Sequence, residues 1–170
     1  MVLRPIKRYG EAVLHRPAAA VEAVTPAIVA LVDDMIETMY AAPGIGLAAP
    51  QIGVNLRIFV TDVSSARDPA ALVVMINPKM VAADGAQHVE EGCLSLPGFE
   101  AVVPRPERAV VRGLDRAGCP REVEGTGLTA RAFQHELDHL DGRLFVDRLH
   151  GLKRELIIRR VRKLRRSGKW

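Results

Sequence analysis

The chain has 170 residues, 48% of them hydrophobic and 26% charged, with a formal net charge of +4. That length suits a single domain, residues 1–170, able to bury about 70% of its unfolded surface. Two cysteines exclude a disulfide scaffold, no apolar run approaches the roughly 20 residues of a membrane span, and the N-terminal residues lack the apolar segment of a secretory signal, so a reducing cytoplasm is the expected setting.

Residues 1–24 read as an irregular lead-in broken by Pro5, Gly10 and Pro17. Thr25 followed by Pro26 is a helix start, because Thr caps the first turn and Pro loses nothing where no N–H is needed. Ile28, Leu31, Val32, Met35, Ile36 and Met39 then recur at helical spacing, which predicts a helix ending near Ala41 with one buried stripe. Residues 43–53 are rich in glycine, alanine and proline. They read as a tight loop or as a backbone surface approached closely by another group, with Gln51 as its polar member.

Residues 56–63 and 71–77 are strand-like, the second ended by Pro78. Residues 109–115 and 121–124, joined by a turn containing Gly118, predict a hairpin with Pro120 placing its second arm at an edge. Strands linked by short turns and flanked by long helices make an α+β protein with antiparallel sheet.

Residues 131–145 carry the chemistry. His135 and His139 are four apart, so on a helix they differ by about 40° in azimuth and one turn in height, where two imidazoles grip one metal ion. Glu136 lies about 100° round from His135, placed to act as general base on a water beside that metal. Cys93, within Glu90-Glu91-Gly92-Cys93-Leu94-Ser95, is the candidate third ligand, and three ligands leave a fourth position open for catalysis. Cys119 has no such neighbours and reads as an ordinary structural cysteine, while His15, His88 and His150 read as surface side chains.

Three ordered segments, Gly44–Gln51, Glu91–Ser95 and Gln134–Leu140, resemble the signature motifs of the peptide deformylases, and the likeness extends over about residues 1–150. Gly98-Phe99 and Arg131 are more similar to the subgroup that includes the organellar enzymes. The resemblance implies antiparallel sheets packed around the metal-binding helix. It also implies removal of the formyl group from the N-terminal methionine of new polypeptides, with Glu136 as base. Gln51 and the backbone N–H of Leu94 would stabilise the oxyanion. By the same likeness Ile45, Gly46 and Gly92 hold the substrate backbone, and Val89, Leu128, Arg131, Ala132 and His135 line the methionine pocket. Arg131, one turn before His135, is expected to wall that pocket with its stem while its charge reaches water. Glu91 and Arg105 are expected to orient the ligands from behind. Two imidazoles and a thiolate suit Fe2+, Zn2+, Ni2+ or Co2+, with Fe2+ preferred from the family and Zn2+ as alternative.

From Lys153 to Lys169 the sequence holds nine basic residues and one acidic, a net +8, so the remaining residues carry −4 against the total of +4. A helix over about 151–167 is expected to bury Leu152, Leu156, Ile157, Val161 and Leu164 and to leave Arg154, Arg159, Arg162, Arg165 and Arg166 in solvent. That basic face is either solvated surface or, as the resemblance implies, a dock on the ribosome near the exit tunnel. A zincin-type endopeptidase and a non-catalytic RNA-binding relative are the other function classes. The first has no use for the cysteine segment, and the second has none for Glu136 or Gln51.

Overall fold

The computed structural model describes residues 2–170. The lead-in is irregular apart from a 3-10 turn at Ala12–His15. Helix α1 spans Pro26–Ala41, with Pro26 at its first position and the Thr25 hydroxyl accepting from the Ile28 N–H. Val32, Met35 and Met39 are fully buried, and Ile28, Leu31 and Ile36 pack against the same cluster.

Seven strands follow: β1 Gly46–Ala48, β2 Ile58–Thr61, β3 Val73–Asp84, β4 Gln87–Gly92, β5 Glu100–Arg105, β6 Arg108–Leu114 and β7 Pro120–Thr126. Five form an antiparallel sheet in the order β1-β2-β3-β6-β7, and β4 and β5 pair only with each other. Helix α2, Gly127–Leu140, lies on one face of the large sheet, and α1 lies on the other. The alternation of strand side chains explains why β2 and β3 begin as unbroken apolar runs. Ile58, Val60, Val74 and Ile76 point to α1, while Phe59, Val73 and Met75 point to Phe133, Leu137 and Leu140 of α2. A third cluster joins Leu96, Ala101 and Val103 to residues 144–149 and to Val161 of helix α3, Gly151–Arg166.

Two expectations are corrected by this frame. Pro78 does not end its strand: β3 runs on to Asp84, with a register shift between Ile76 and Lys79 that places the proline where the ladder is already interrupted. Asn77, at φ 52°, stabilises that bulge by pairing its side-chain amide with the backbone of Val21. In α3 the stripe is narrower than its sequence suggests. Val161 is buried and Ile157 and Leu164 are half-buried, but Leu152 and Leu156 are 70% and 55% exposed. Packing there is supplied by Trp170 beyond the helix, which donates to the Tyr9 carbonyl at 3.0 Å and meets Phe99 edge-on. Cys119 lies exposed in the β6–β7 turn.

Candidate active site

Helix α2 is polar in sequence yet buried along most of its length, because it runs through the middle of the molecule. His139 is fully buried, and Glu136 and Asp138 are nearly so. Across from it the segment after β4 carries Cys93, whose Sγ lies 3.2 Å from His139 Nε2. Ligand atoms of Cys93, His135 and His139 all lie within 4.8 Å of one another. A thiolate and two imidazoles so grouped are the donor set that zinc, ferrous iron and their neighbours take.

The protons of this group are unequally shared. Burial disfavours the charge of His135, but the Cys93 thiolate and Glu91 hold its proton well above the usual imidazole range. His139 is pushed the other way by burial and by the charges of His135 and Arg105. Cation binding to such a set displaces the proton. The residues present therefore fit a divalent ion, and among the described residues no downstream carboxylate joins them as the zincin alternative requires.

Glu136 completes the site. Its Oε2 is buried with no partner, and burial pushes its carboxyl up to about 7 against the opposing charges of His135 and Arg105. Gln51 comes from the 3-10 turn Ala49–Ile52. Its side-chain oxygen accepts from the Ala48 N–H at 2.8 Å, and its NH2 faces Cys93 Sγ at 3.6 Å and the Ser95 hydroxyl at 3.2 Å. Those contacts fix the amide with its donors towards the ligand side. A cavity of about 320 Å³ opens there, lined among others by Ile45, Gly46, Gln51, Gly92, Leu94, Leu128, Arg131, Ala132, His135 and Glu136. Val89 lies outside that lining, with its side chain half exposed.

Behind the ligands runs a charged network. Glu91 Oε1 stands 3.4 Å from His135 Nδ1, and both of its oxygens accept from the Arg105 fork. Burial alone would push Glu91 up, but hydrogen bonds from His135 and Arg105, with their charges, outweigh it and hold its carboxyl at about 2. Arg105 also donates to Asp138 at 2.9 Å, and Arg148 grips Asp138 from the other side. The expectation for Arg131 is corrected: its charge does not reach water. The side chain is buried and donates to Gln87, to the Val89 carbonyl and to Glu91. Gln87, Asp138 and Arg148 were not anticipated. Only the placing of Asp138 between the two histidines, on a helix that must be buried to bring them to a metal, is a sequence cue to its role.

The chain matches the sequence model of the polypeptide deformylase family across residues 3–155. It is 49% identical over 170 residues to a peptide deformylase of Acidobacterium capsulatum, all of both chains being covered. A Thermodesulfovibrio yellowstonii peptide deformylase is 50% identical over 156 residues, covering 92% of this chain and 94% of the relative. The crystal structure of a peptide deformylase from Legionella pneumophila superposes with a TM-score of 0.91 at 42% identity over 98% of both chains. That of the enzyme from Thermus thermophilus gives 0.86 at 45% identity, covering 95% of this chain and 94% of that one.

Proposed function

The chain belongs to the peptide deformylase family, metal-dependent hydrolases that remove the formyl group from the N-terminal formylmethionine of nascent polypeptides, and from this premise we propose a role for each group of the site. Cys93, His135 and His139 hold one divalent ion, Fe2+ in preference to Zn2+, with Ni2+ and Co2+ also compatible with the donors. When bound, the ion supplies Lewis-acid activation of a water molecule. Glu136 takes the proton of the attacking water and delivers it to the amine that leaves, so formate and a free N-terminus are released. The Gln51 NH2 and the Leu94 N–H, whose segment lines the cavity, donate to the oxyanion that develops on the formyl oxygen. Ile45, Gly46 and Gly92 hold the extended substrate backbone, and Leu128, Ala132 and the stem of Arg131 receive the methionine side chain.

The observation that carries this reading is the convergence of a partnerless buried carboxylate, an oriented amide and a three-donor cluster on one cavity. Formate release from a formyl-Met tripeptide, run beside cleavage of an internal peptide bond, tests it. Internal cleavage without formate release would overturn it.

We place the reaction in the cytoplasm, within a single domain whose basic α3 docks on ribosomal RNA near the exit tunnel. No helix among the described residues is long and apolar enough to cross a membrane. Arg159, Arg162 and Arg166 are exposed, and phosphate neutralisation by such residues gives binding that falls steeply with salt. Changing all three to Gln should abolish ribosome co-sedimentation at low salt while formyl-Met tripeptides are still deformylated. Co-sedimentation equal to wild type would reduce the basic face to solvated surface.

A further inference from the structure

We propose that Arg131 is a positioning residue of the metal centre, spanning the two bodies on which the ligands stand. His135 and His139 belong to α2, which packs on the five-stranded sheet, whereas Cys93 follows directly from β4, whose backbone pairs only with β5. No backbone hydrogen bond among the described residues joins β4 to α2. Backbone bonds reach α2 only from the flanks, as from the Gly127 N–H to the Glu107 carbonyl, so side chains that cross the gap contribute to the separation between thiolate and imidazoles.

Arg131 crosses it at three heights. Nη1 donates to the Val89 carbonyl and to Glu91 Oε2, each at 2.9 Å, and Nε and Nη2 both donate to Gln87 Oε1, at 3.1 and 3.0 Å. Gln87 is fixed in turn by donating to the Pro106 and Gly127 carbonyls at 3.0 Å. One guanidinium thus holds residues 87, 89 and 91, the stretch that leads into Cys93. Its base is one helical turn below His135, and the carboxylate it grips is the one that meets His135 Nδ1. Arg105 holds the same carboxylate from β5, so Glu91 is fixed from its own ribbon and from the helix at once.

This assignment rests on Cys93, His135 and His139 being the ligands, and it makes Arg131 more than a pocket wall. With Met at 131 the apolar stem remains while the four hydrogen bonds of its guanidinium across the gap are lost, leaving Arg105–Asp138 and Glu91–His135 to span it. The predicted consequence is a looser thiolate-to-imidazole distance, not a different pocket.

The test is a Co2+ titration of metal-free wild-type, Arg131→Met and Gln87→Leu proteins against a chelator of known affinity, with the visible spectrum of each loaded form recorded. Arg131→Met should bind Co2+ about 10- to 100-fold more weakly, as loss of groups supporting metal ligands does. Its ligand-field bands should shift, its kcat should fall, and its KM for a formyl-Met tripeptide should stay within about threefold of wild type. Gln87→Leu should show a smaller effect in the same direction, and it provides the readout if Arg131→Met does not fold. Unchanged Co2+ affinity and spectrum, with the loss confined to KM, would overturn the inference and return Arg131 to the pocket wall. A wild-type protein that binds one Co2+ but releases no formate would instead overturn the role proposed for the site while the Co2+ series still decided that of Arg131. A wild-type protein that binds no Co2+ would overturn both.

Discussion

Gly46 is the position at which a single methyl group should disable the base without disturbing the fold. A Cβ built there falls 2.3 Å from Glu136 Oε1 and 2.9 Å from its Cδ, well inside the roughly 3.4 Å at which carbon and oxygen normally meet. The backbone of edge strand β1 is fixed by its ladder to β2, so the carboxylate must give way by about 1 Å. Displacement is cheap for the fold, since the atoms that move are the end of a flexible side chain whose Oε2 has no partner. Stability of Gly46→Ala should stay within about 1 kcal/mol of wild type, helped by the smaller entropy of the unfolded chain. Catalysis is less tolerant, and a 1 Å misplacement of a reacting group costs on the order of 100-fold. The expected result is a kcat for formate release about 100-fold down, with metal content and melting temperature near wild type. The double variant Gly46→Ala/Glu136→Gln should be no slower than Glu136→Gln alone, because both changes remove one contribution. A Gly46→Ala enzyme with wild-type kcat, or fully additive losses in the double variant, would refute the placing of Glu136 as the base.

Glu136→Gln should keep its metal and lose a factor on the order of 100 or more in turnover. The same pair of proteins, metal-free, carries a pH signature. The Glu136 pKa is raised in the folded state to about 7 from 4.5, so wild-type stability is full below 4.5 and is lost as pH rises to about 7, on the order of 3 kcal/mol. Denaturant midpoints of wild type and Glu136→Gln should therefore converge near pH 4 and separate by pH 8, the variant being the more stable, and parallel curves would refute the burial argument. Cys93→Ala should lose metal affinity together with activity, because the charged ligand goes, as equilibrium dialysis will show. Iron-loaded enzyme should lose activity in air faster than zinc-loaded enzyme, since a thiolate beside an open coordination position invites oxidation; equal half-lives would count against iron as the working metal.

The elements legible in the sequence are those whose buried faces are apolar. Helix α1 could be read from its cap and stripe, and the large sheet from runs such as Ile58-Phe59-Val60, because hydrophobic periodicity reports burial against a greasy neighbour. The histidine pair was legible for a different reason, its spacing being fixed by helix geometry alone. Strands β4 and β5 gave no such signal. Inward Gln87, Glu91 and Arg105 are polar and share the buried face with Ala101 and Val103, while Val89 and Val102 are exposed, so no clean alternation marks the ribbon. Arg131 misled in the same way. A long cation on a helix is normally in water, and only the fold reveals that partners from residues 87–91, some forty positions away, meet it in the interior. Buried charge of this kind persists only where each member is matched, and three arginines, 105, 131 and 148, meet the two carboxylates of Glu91 and Asp138. The places where polarity predicts the wrong face are thus the places that hold the metal ligands. An apolar core there would pack as well, but it would leave His135 with no acceptor for its second nitrogen and Cys93 with no fixed distance from the helix.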